Sequence, residues 1–337
     1  GTDMDTLTMK VKRAPNGDGL VAMDQISSDS GFKRIALKGS IHVIDLNGPL
    51  GALSIAGGSV DSINVTHGAI GTIRIQNKWL ASDQSFVETV GIVREVVAAG
   101  AISTICVDGG AIGTPDEPAL IRSQHGAIGT VMTRLAKRGL RGDGFSETVV
   151  SSCDGANICA NIEALGGGIG KVQSDGGSIG APEDYPACTL TAAGGIRLVR
   201  ATAMVYDGEA LGGAVFANLV AGGAVGTVQS IGGDISYSAV TDPEDLEDAE
   251  HLPLRIAARS VGALSSKARV YRYDGARAAF GGSIHAMLAL QQGLDKLSAV
   301  GGNVRVCMSS TCGPAAIKRV RVQHLRFKEY SDDTEQT

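Results

Sequence analysis

The chain has 337 residues, 43% of them hydrophobic, and a net charge of −5 from 30 Lys and Arg against 35 Asp and Glu. This is enough apolar material for a substantial core, and the acidic balance offers no overall cationic surface for nucleic acid or an anionic membrane. Gly and charged residues interrupt every apolar stretch before it reaches the roughly 18 residues that span a bilayer, so we expect a soluble chain with no membrane span.

The first predicted element is a short strand, in which Leu7, Met9 and Val11 alternate with polar residues. Such a strand has one apolar face, and we expect that face to cover the first coil of the core. Residues 1–38 are therefore assigned to an N-terminal cap with the first strands.

A repeat of about ten residues follows. The pattern of two aliphatic residues three apart and a third two further on begins at Ile41, Leu50, Val60 and Ile70, nine or ten residues apart. It returns in later phrases such as "QHGAIGTVMTR", which echoes "THGAIGTIRIQ". A fixed period over most of a chain indicates a solenoid.

Within one unit the spacing predicts a short strand and a bend. Ile73 and Ile75 are two apart and share one face of a strand, with Arg74 on the other. Ile70 lies at an odd offset from Ile73, which predicts a corner at Gly71–Thr72 where glycine takes a positive φ. Further corners are predicted at Gly57–Gly58, Gly109–Gly110, Gly176–Gly177 and Gly222–Gly223.

Two units make a coil of roughly 20 residues, and stacked coils pair their strands in parallel at ~4.8 Å. The sequence therefore predicts an all-β fold, a single-stranded right-handed parallel β-helix with capped ends and loop insertions. A β-sandwich is the alternative, but it predicts alternating strands joined by Asn-Gly or Asp-Gly hairpins, and Gly-Gly-Ala-Ile-Gly corners dominate here.

The β-helix is assigned to residues 39–314, and 315–337 to a C-terminal cap and tail. Lys318, Arg319 and Arg321 accompany the apolar register of this last part, and we interpret their charge as a barrier to further stacking. The regular units are interrupted by insertions, predicted near 78–92, 115–124, 134–165, 181–194 and 238–281.

Three insertions place Pro beside acidic residues after the same glycine corner. Their acids are the candidate site residues Asp116, Glu117, Glu183, Asp184, Asp242, Glu244 and Asp245. Carboxylates from equivalent corners of different coils would bind Ca²⁺ or act as a pair in glycoside hydrolysis. Alternatively, Pro-acid sequences simply form rigid solvated turns. No cofactor is expected, and Ca²⁺ is the one candidate ion.

Six cysteines include two close pairs, Cys153 with Cys159 and Cys307 with Cys312. Each pair is a candidate for a disulfide that closes a small loop, and the spacings do not resemble those of zinc sites. Cys106 and Cys188 are expected to be buried thiols.

The Gly-Gly-Ala-Ile-Gly-Thr phrases resemble those of right-handed parallel β-helices, the pectin-lyase-like architecture, and especially repeats of large bacterial surface and adhesin-type proteins. That architecture includes polysaccharide lyases and hydrolases, phage tailspikes and non-catalytic adhesins, so the resemblance implies a fold and does not choose a function. Of the polygalacturonase-type motifs, the chain has only the fragments His67-Gly68, His125-Gly126 and Arg74-Ile75-Gln76. Sugar grooves also use aromatic platforms, and aromatics are 4% of this chain.

We therefore expect a secreted or cell-surface structural module that binds a polysaccharide or a surface protein through its loops, without catalysis. The alternative is a polysaccharide lyase or glycoside hydrolase that uses the loop carboxylates.

Overall fold

The computed structural model describes residues 5–9, 19–76, 79–80, 85–86, 90–135, 137–141, 146–150, 156–181, 187–206, 209–236, 254–273, 276–310 and 316–324. In this part of the chain every regular element is a strand. The strands, in chain order, are β1 (Asp5–Thr8), β2 (Val21–Ser28), β3 (Phe32–Leu46), β4 (Leu50–Ala56), β5 (Val60–Val65), β6 (Ile70–Gln76), β7 (Trp79–Leu80), β8 (Ser85–Phe86), β9 (Val90–Ala98), β10 (Ile102–Asp108), β11 (Ala111–Ile112), β12 (Ala119–Ser123), β13 (Ile128–Arg134), β14 (Lys137–Arg141), β15 (Ser146–Val150), β16 (Ala160–Ala164), β17 (Ile169–Asp175), β18 (Thr189–Ala192), β19 (Ile196–Thr202), β20 (Met204–Tyr206), β21 (Glu209–Leu211), β22 (Asn218–Ala221), β23 (Val225–Ile231), β24 (Leu254–Lys267), β25 (Arg269–Tyr273), β26 (Ala276–Phe280), β27 (Ile284–Val300), β28 (Val304–Ser310) and β29 (Ala316–Gln323).

The strands stack in two parallel ladders that share one core. Ladder 1 runs through β1, the first half of β3, β4, β6, β10, β13, β17, β19, β23, the second halves of β24 and β27, and β29. Ladder 2 runs through β2, the second half of β3, β5, β9, β12, β16, β18, β22, the first halves of β24 and β27, and β28. The chain alternates between the ladders, so each coil adds one rung to both. The fold is a parallel β-helix, as the repeat predicts.

The core is formed by inward aliphatic columns that follow the register of the rungs. Ile73 pairs with Leu53 on one side and Ile105 on the other, and all three are at most 1% exposed. Ile44 and Ile63 form the equivalent contact in ladder 2, and both are fully buried. The isoleucines on which the prediction depended thus lie inside the coil, where each covers the side chains of the neighbouring rungs.

The two glycines of a corner have different physical roles. Gly57 has a φ of 71°, in the left-handed region that a residue with a Cβ rarely adopts. For Gly58 the reason is space, since a Cβ there would lie 2.0 Å from the carbonyl oxygen of Gly39 in the preceding coil. The predicted corner at Gly71–Thr72 is wrong: β6 runs unbroken through it, and Gly71 does not adopt a positive φ. Gly71 instead lets strands approach, because a Cβ would lie 2.1 Å from the oxygen of Gly51.

Buried hydroxyl groups replace aliphatic side chains at the last inward position of several ladder 1 strands. Ser174 donates to the carbonyl oxygen of Ala156 at 2.7 Å, and Ser230 donates to that of Gly213 at 2.6 Å. Both serines are fully buried. Each hydroxyl thus bonds to a carbonyl group in the corner of the preceding coil, and the Ala156 carbonyl also accepts the hydroxyl of Thr133.

A second polar column lies where the chain enters ladder 2. The side-chain oxygen of Asn157 accepts the backbone N–H of Ser178 at 2.8 Å, and that of Asp234 accepts the N–H of Ser283 at 2.7 Å. Burial raises the pKa of the Asp234 carboxyl, although backbone N–H donors from Ser283 and Gly282 oppose the shift.

Insertions leave the coil at two positions, and successive coils use one position and then the other. Antiparallel hairpins β7–β8, β14–β15, β20–β21 and β25–β26 follow the ladder 1 strands β6, β13, β19 and β24. The intervening strands β10, β17 and β23 lead instead to the Pro-acid insertions. Regular rungs resume inside each predicted insertion range, at Val90, Ala119, Ala160, Thr189 and Leu254.

Strand β1 pairs with β3 and places Leu7 level with Ile35, so the predicted alternating strand does lie over the first full coil. At the other end, β29 pairs with β27 and places Val320 level with Leu297. Residues 325–337 lie outside the described residues, and the assignment of a C-terminal cap remains a prediction.

We predict that Ile105→Ala lowers the free energy of unfolding by about 2–5 kcal/mol, because it opens a cavity between two occupied rungs. Ser103→Ala on the same strand is the matched control, since Ser103 is exposed, and should change stability by less than about 0.5 kcal/mol. Urea denaturation followed by circular dichroism measures both. Equal losses in the two variants would contradict the assignment of Ile105 to the core.

We also predict that Asp234→Asn stabilises the protein at pH 7. The amide oxygen still accepts the Ser283 N–H, as Asn157 does for Ser178, while the variant no longer buries a charge. Because the pKa of Asp234 is raised on folding, the wild type gains stability relative to the variant as the pH falls through the folded-state pKa. Thermal melts should therefore show a higher Tm for the variant at pH 7 and a smaller difference near pH 3.5. Asp116→Asn, at an exposed turn, serves as the control.

Candidate functional site

Only two of the seven candidate acids lie in the described part of the chain. Asp116 and Glu117 are both exposed, in the segment that joins Ile112 to β12. The other five, Glu183, Asp184, Asp242, Glu244 and Asp245, lie outside the described residues, so whether the acids converge on one site remains a prediction.

The segment with Asp116 and Glu117 is a tight turn. The Thr114 N–H donates to the carbonyl oxygen of Glu117 at 3.1 Å, and the Glu117 N–H donates to the Thr114 hydroxyl oxygen at 3.1 Å. These reciprocal bonds order the backbone and leave both carboxylates in solvent. In this insertion the geometry is that of a rigid solvated turn, the second of the two interpretations offered by the sequence.

The three Pro-acid insertions nevertheless begin at equivalent points of the coil. Ile112, Ile179 and Ile235 belong to one column of parallel bridges, separated from one another by Ile158 and Val215. Each insertion starts just after its column residue, and the chain then returns to ladder 2. The starting points are therefore two rungs apart, about 9.6 Å along the axis at the usual strand spacing.

The cysteines occupy three different environments. Cys188 is buried, as expected, but Cys106 is only half-buried and lies on the outward side of β10, where its thiol is 3.7 Å from a carboxylate oxygen of Asp108. Burial raises the pKa of Cys159 to about 12 and that of Cys188 to about 11, so neither is a reactive thiolate at neutral pH. Cys307 is exposed.

These environments do not show whether the two proposed disulfides form. Cys159 and Cys307 are free thiols in the structure. Their proposed partners Cys153 and Cys312 lie outside the described residues, and both pairings remain predictions.

An open depression on the outer side of ladder 2 is the best candidate for a binding site. It measures about 460 Å³ and crosses the first three rungs. Seven of its eight lining residues have polar side chains, and the set consists of Ser27, Ser28, Asp29, Asp45, Leu46, Asn47, Asn64 and Thr66. We call this set the polar depression.

The strand register builds the polar depression. Ser27 pairs with Asp45, and Asp45 pairs with Asn64, so three outward side chains form one column along the helix axis. Asn47 and Thr66 form a parallel column at the adjacent corner, one residue beyond the inward Leu46 and Val65. The result is a grid of hydroxyl, amide and carboxylate groups with one row per rung.

Hydrogen bonds between rungs hold this grid in place. The Asn47 side-chain oxygen accepts the Thr66 hydroxyl at 3.0 Å and lies 2.6 Å from Nδ1 of His67. On the other column, Nε2 of Gln25 donates to a carboxylate oxygen of Asp45 at 3.2 Å. The side chains are therefore ordered before a ligand arrives, which reduces the entropy cost of binding.

Sequence reasoning missed this depression because it concentrated on the insertions. The available signal was the outward residue one position before the last inward aliphatic, which is Asp45 in one unit and Asn64 two units later, in the next coil. That column can be aligned only when the register of the rungs is known.

Such a surface can bind a ligand with many hydroxyl groups or a hydrated cation. Within the described ranges, no three His, Cys, Asp or Glu side chains are grouped as a metal site. Nor does any helix there have the length and apolar character required to cross a lipid bilayer.

Comparison of the chain with protein-family models, curated proteins and solved structures finds no match. The structure defines the class of the protein, a parallel β-helix, and the pectin-lyase-like relationship remains a resemblance of the glycine phrases.

Proposed function

We propose that the chain is a non-catalytic structural and binding module, secreted or at the cell surface, that holds a hydroxyl-rich polymer such as a polysaccharide along its outer wall. The observation that carries the proposal is the in-register column of Ser27, Asp45 and Asn64 inside the polar depression.

The repeat of the rungs supports a polymeric ligand. Over the three rungs of the polar depression, hydrogen-bonding groups recur every ~4.8 Å along the axis, so a chain molecule laid parallel to the axis meets a polar group on each of them. The next residue of the column is Val97, which ends the polar run. An open depression also suits a polymer better than an enclosed cavity would, because the polymer can extend beyond it at both ends. Affinity would then accumulate over several weak contacts rather than depend on one.

The rigidity of the wall supports a structural role. Side chains on neighbouring rungs are bonded across the ladder, as in Arg122 with Glu163 at 2.6 Å and Ser62 with Glu95 at 2.8 Å. These side-chain contacts join neighbouring rungs that the backbone hydrogen bonds of the ladder already join. A rod of this kind keeps the spacing of its outward groups fixed.

The test compares binding to insoluble and arrayed polysaccharides before and after removal of the column. We expect Asp45→Ala/Asn64→Ala to weaken binding about tenfold or more, because two ordered hydrogen-bonding groups are lost. Arg122→Ala/Glu163→Ala is the matched control, since these residues occupy the same outward column on later rungs. Equal binding by wild type and the Asp45/Asn64 variant, or equal loss in the control, would refute the proposed surface.

One observation favours a second function, that of a carbohydrate-active enzyme. The Pro-acid insertions start from a single column, after Ile112, Ile179 and Ile235, so three carboxylate-bearing segments begin on the same side of the coil. Paired carboxylates held in this way would act as acid and base in glycoside cleavage, or as Ca²⁺ ligands in a lyase.

Activity assays separate the two functions. The wild type is incubated with uronic-acid and neutral polysaccharides, with and without Ca²⁺, and the release of reducing or unsaturated ends is measured. We expect no turnover. Turnover that is lost in Asp116→Asn or Glu183→Gln would establish the enzyme and overturn the first proposal.

A further inference from the structure

The two ends of the rod present apolar residues that the core covers on one side only. Leu7, Met9, Val21 and Met23 pack against the core at the N-terminal end, and Val304, Val306, Met308 and Ile317 do so at the C-terminal end. Beyond these, Val320 is 59% exposed and Val322 is 44% exposed. Their equivalents on interior rungs are buried, so each end has the apolar pattern of a rung that lacks its next neighbour.

The end strands also have a free edge in the pairing of the described residues. Strands β1 and β2 pair only with β3, and strands β28 and β29 pair only with β27. Backbone groups along such an edge are available to an added parallel strand.

The charges of the two ends are opposite. Strands β1 and β2 carry Asp5 and Asp24 and no cationic residue, although the intervening residues 10–18 contain Lys10, Lys12 and Arg13. Strands β28 and β29 carry no acidic residue, and their cations are Arg305, Lys318, Arg319 and Arg321. All the charged residues of these four strands are exposed.

The inward columns of both ladders can be followed from one end to the other. In ladder 1, Leu7 and Val320 belong to the same inward column, so one more rung beyond Val320 would place Leu7 upon it. In ladder 2, Met23 shares a column with Val304, and Ile26 shares the next inward column with Met308, so β28 has one residue more than β2 between these columns. A bulge of one residue, such as the register shift between β5 and β9, would join them, and with the bulge after Asp24 this residue would lie beside Arg305. An ion pair would thus form beside the contact of Met23 with Val304.

We propose that copies of this chain stack head to tail, with β28 and β29 of one copy pairing in parallel with β2 and β1 of the next. The interface is heterologous, so it leaves a free end at each addition and generates a linear rod rather than a closed oligomer. Lys318 is already paired with Asp295 at 2.6 Å, but Arg319 and Arg321 keep two C-terminal ends apart, and the same charge attracts the acidic N-terminal strands. The cationic residues that the sequence analysis interprets as a barrier to stacking therefore disfavour contacts between two C-terminal ends and favour head-to-tail contacts.

The experiment is sedimentation velocity of the purified 337-residue chain over a range of concentrations. The expected result is a mean mass that rises with concentration in steps of one chain, and less strongly in 0.5 M salt because added ions screen the pairs, with a Debye length of roughly 4–5 Å. Arg305→Asp or Asp24→Arg alone should raise the dissociation constant of stacking about tenfold or more, since each places like charges side by side.

Mixing the two reversed variants distinguishes a charge contact from a folding defect. In an equimolar mixture, every contact between unlike variants joins opposite charges at positions 24 and 305. Association should therefore return to the wild-type level, and the double variant Asp24→Arg/Arg305→Asp should also associate by itself. Failure of both to recover would overturn the proposed pairing.

The apolar contact is tested with Val320→Ser and its control Val220→Ser. Val220 is 44% exposed, against 59% for Val320, and it lies on the side wall, in β22, away from both ends. We expect weaker stacking in the first variant and no change in the second. A monomer at all concentrations up to about 100 µM, or association that is equally sensitive to Val220→Ser, would overturn the proposal.

Discussion

In-register parallel stacking of aliphatic side chains is the constraint on which the structure depends. An inward residue such as Ile73 gains its burial from the equivalent residues of the coils before and after it, Leu53 and Ile105. The same stacking pairs the backbone groups of every interior rung, so a shift of register would cost both packing and hydrogen bonds. Most of the stability therefore arises between coils, and a single coil has little reason to fold alone.

The stacking of coils also determines the geometry of the corners. A coil can lie on the next one at strand spacing only if the turns are as thin as the strands, which explains why Gly58 approaches the backbone of Gly39 so closely. Turning also leaves carbonyl groups without ladder partners, and buried hydroxyls such as Ser174 and Ser230 bond to them. The polar atoms of the core are therefore a consequence of bending the chain, and they occur where the bends are.

Outward side chains take no part in the packing of the core, so a binding site is expected among them. Stacking aligns whatever residues stand at one outward position, so Asp45 and Asn64 become neighbours even though many residues separate them along the chain. It equally determines that the insertions after Ile112 and Ile179 leave from one column. At the two ends there is no further rung of the chain, so residues such as Leu7 and Val320 are covered by the core on one side only.

The repeat, the inward residues and the parallel β-helix could all be predicted from the sequence, because a period of ten with aliphatic residues two and three positions apart is a local pattern that needs no partner to be recognised. The same pattern also predicted a corner at Gly71, where the structure has an unbroken strand. The sequence could not show which outward residues share a column or which physical role each glycine has. Both depend on the distance to another coil, and the register that sets this distance is a property of two rungs in contact rather than of either segment alone.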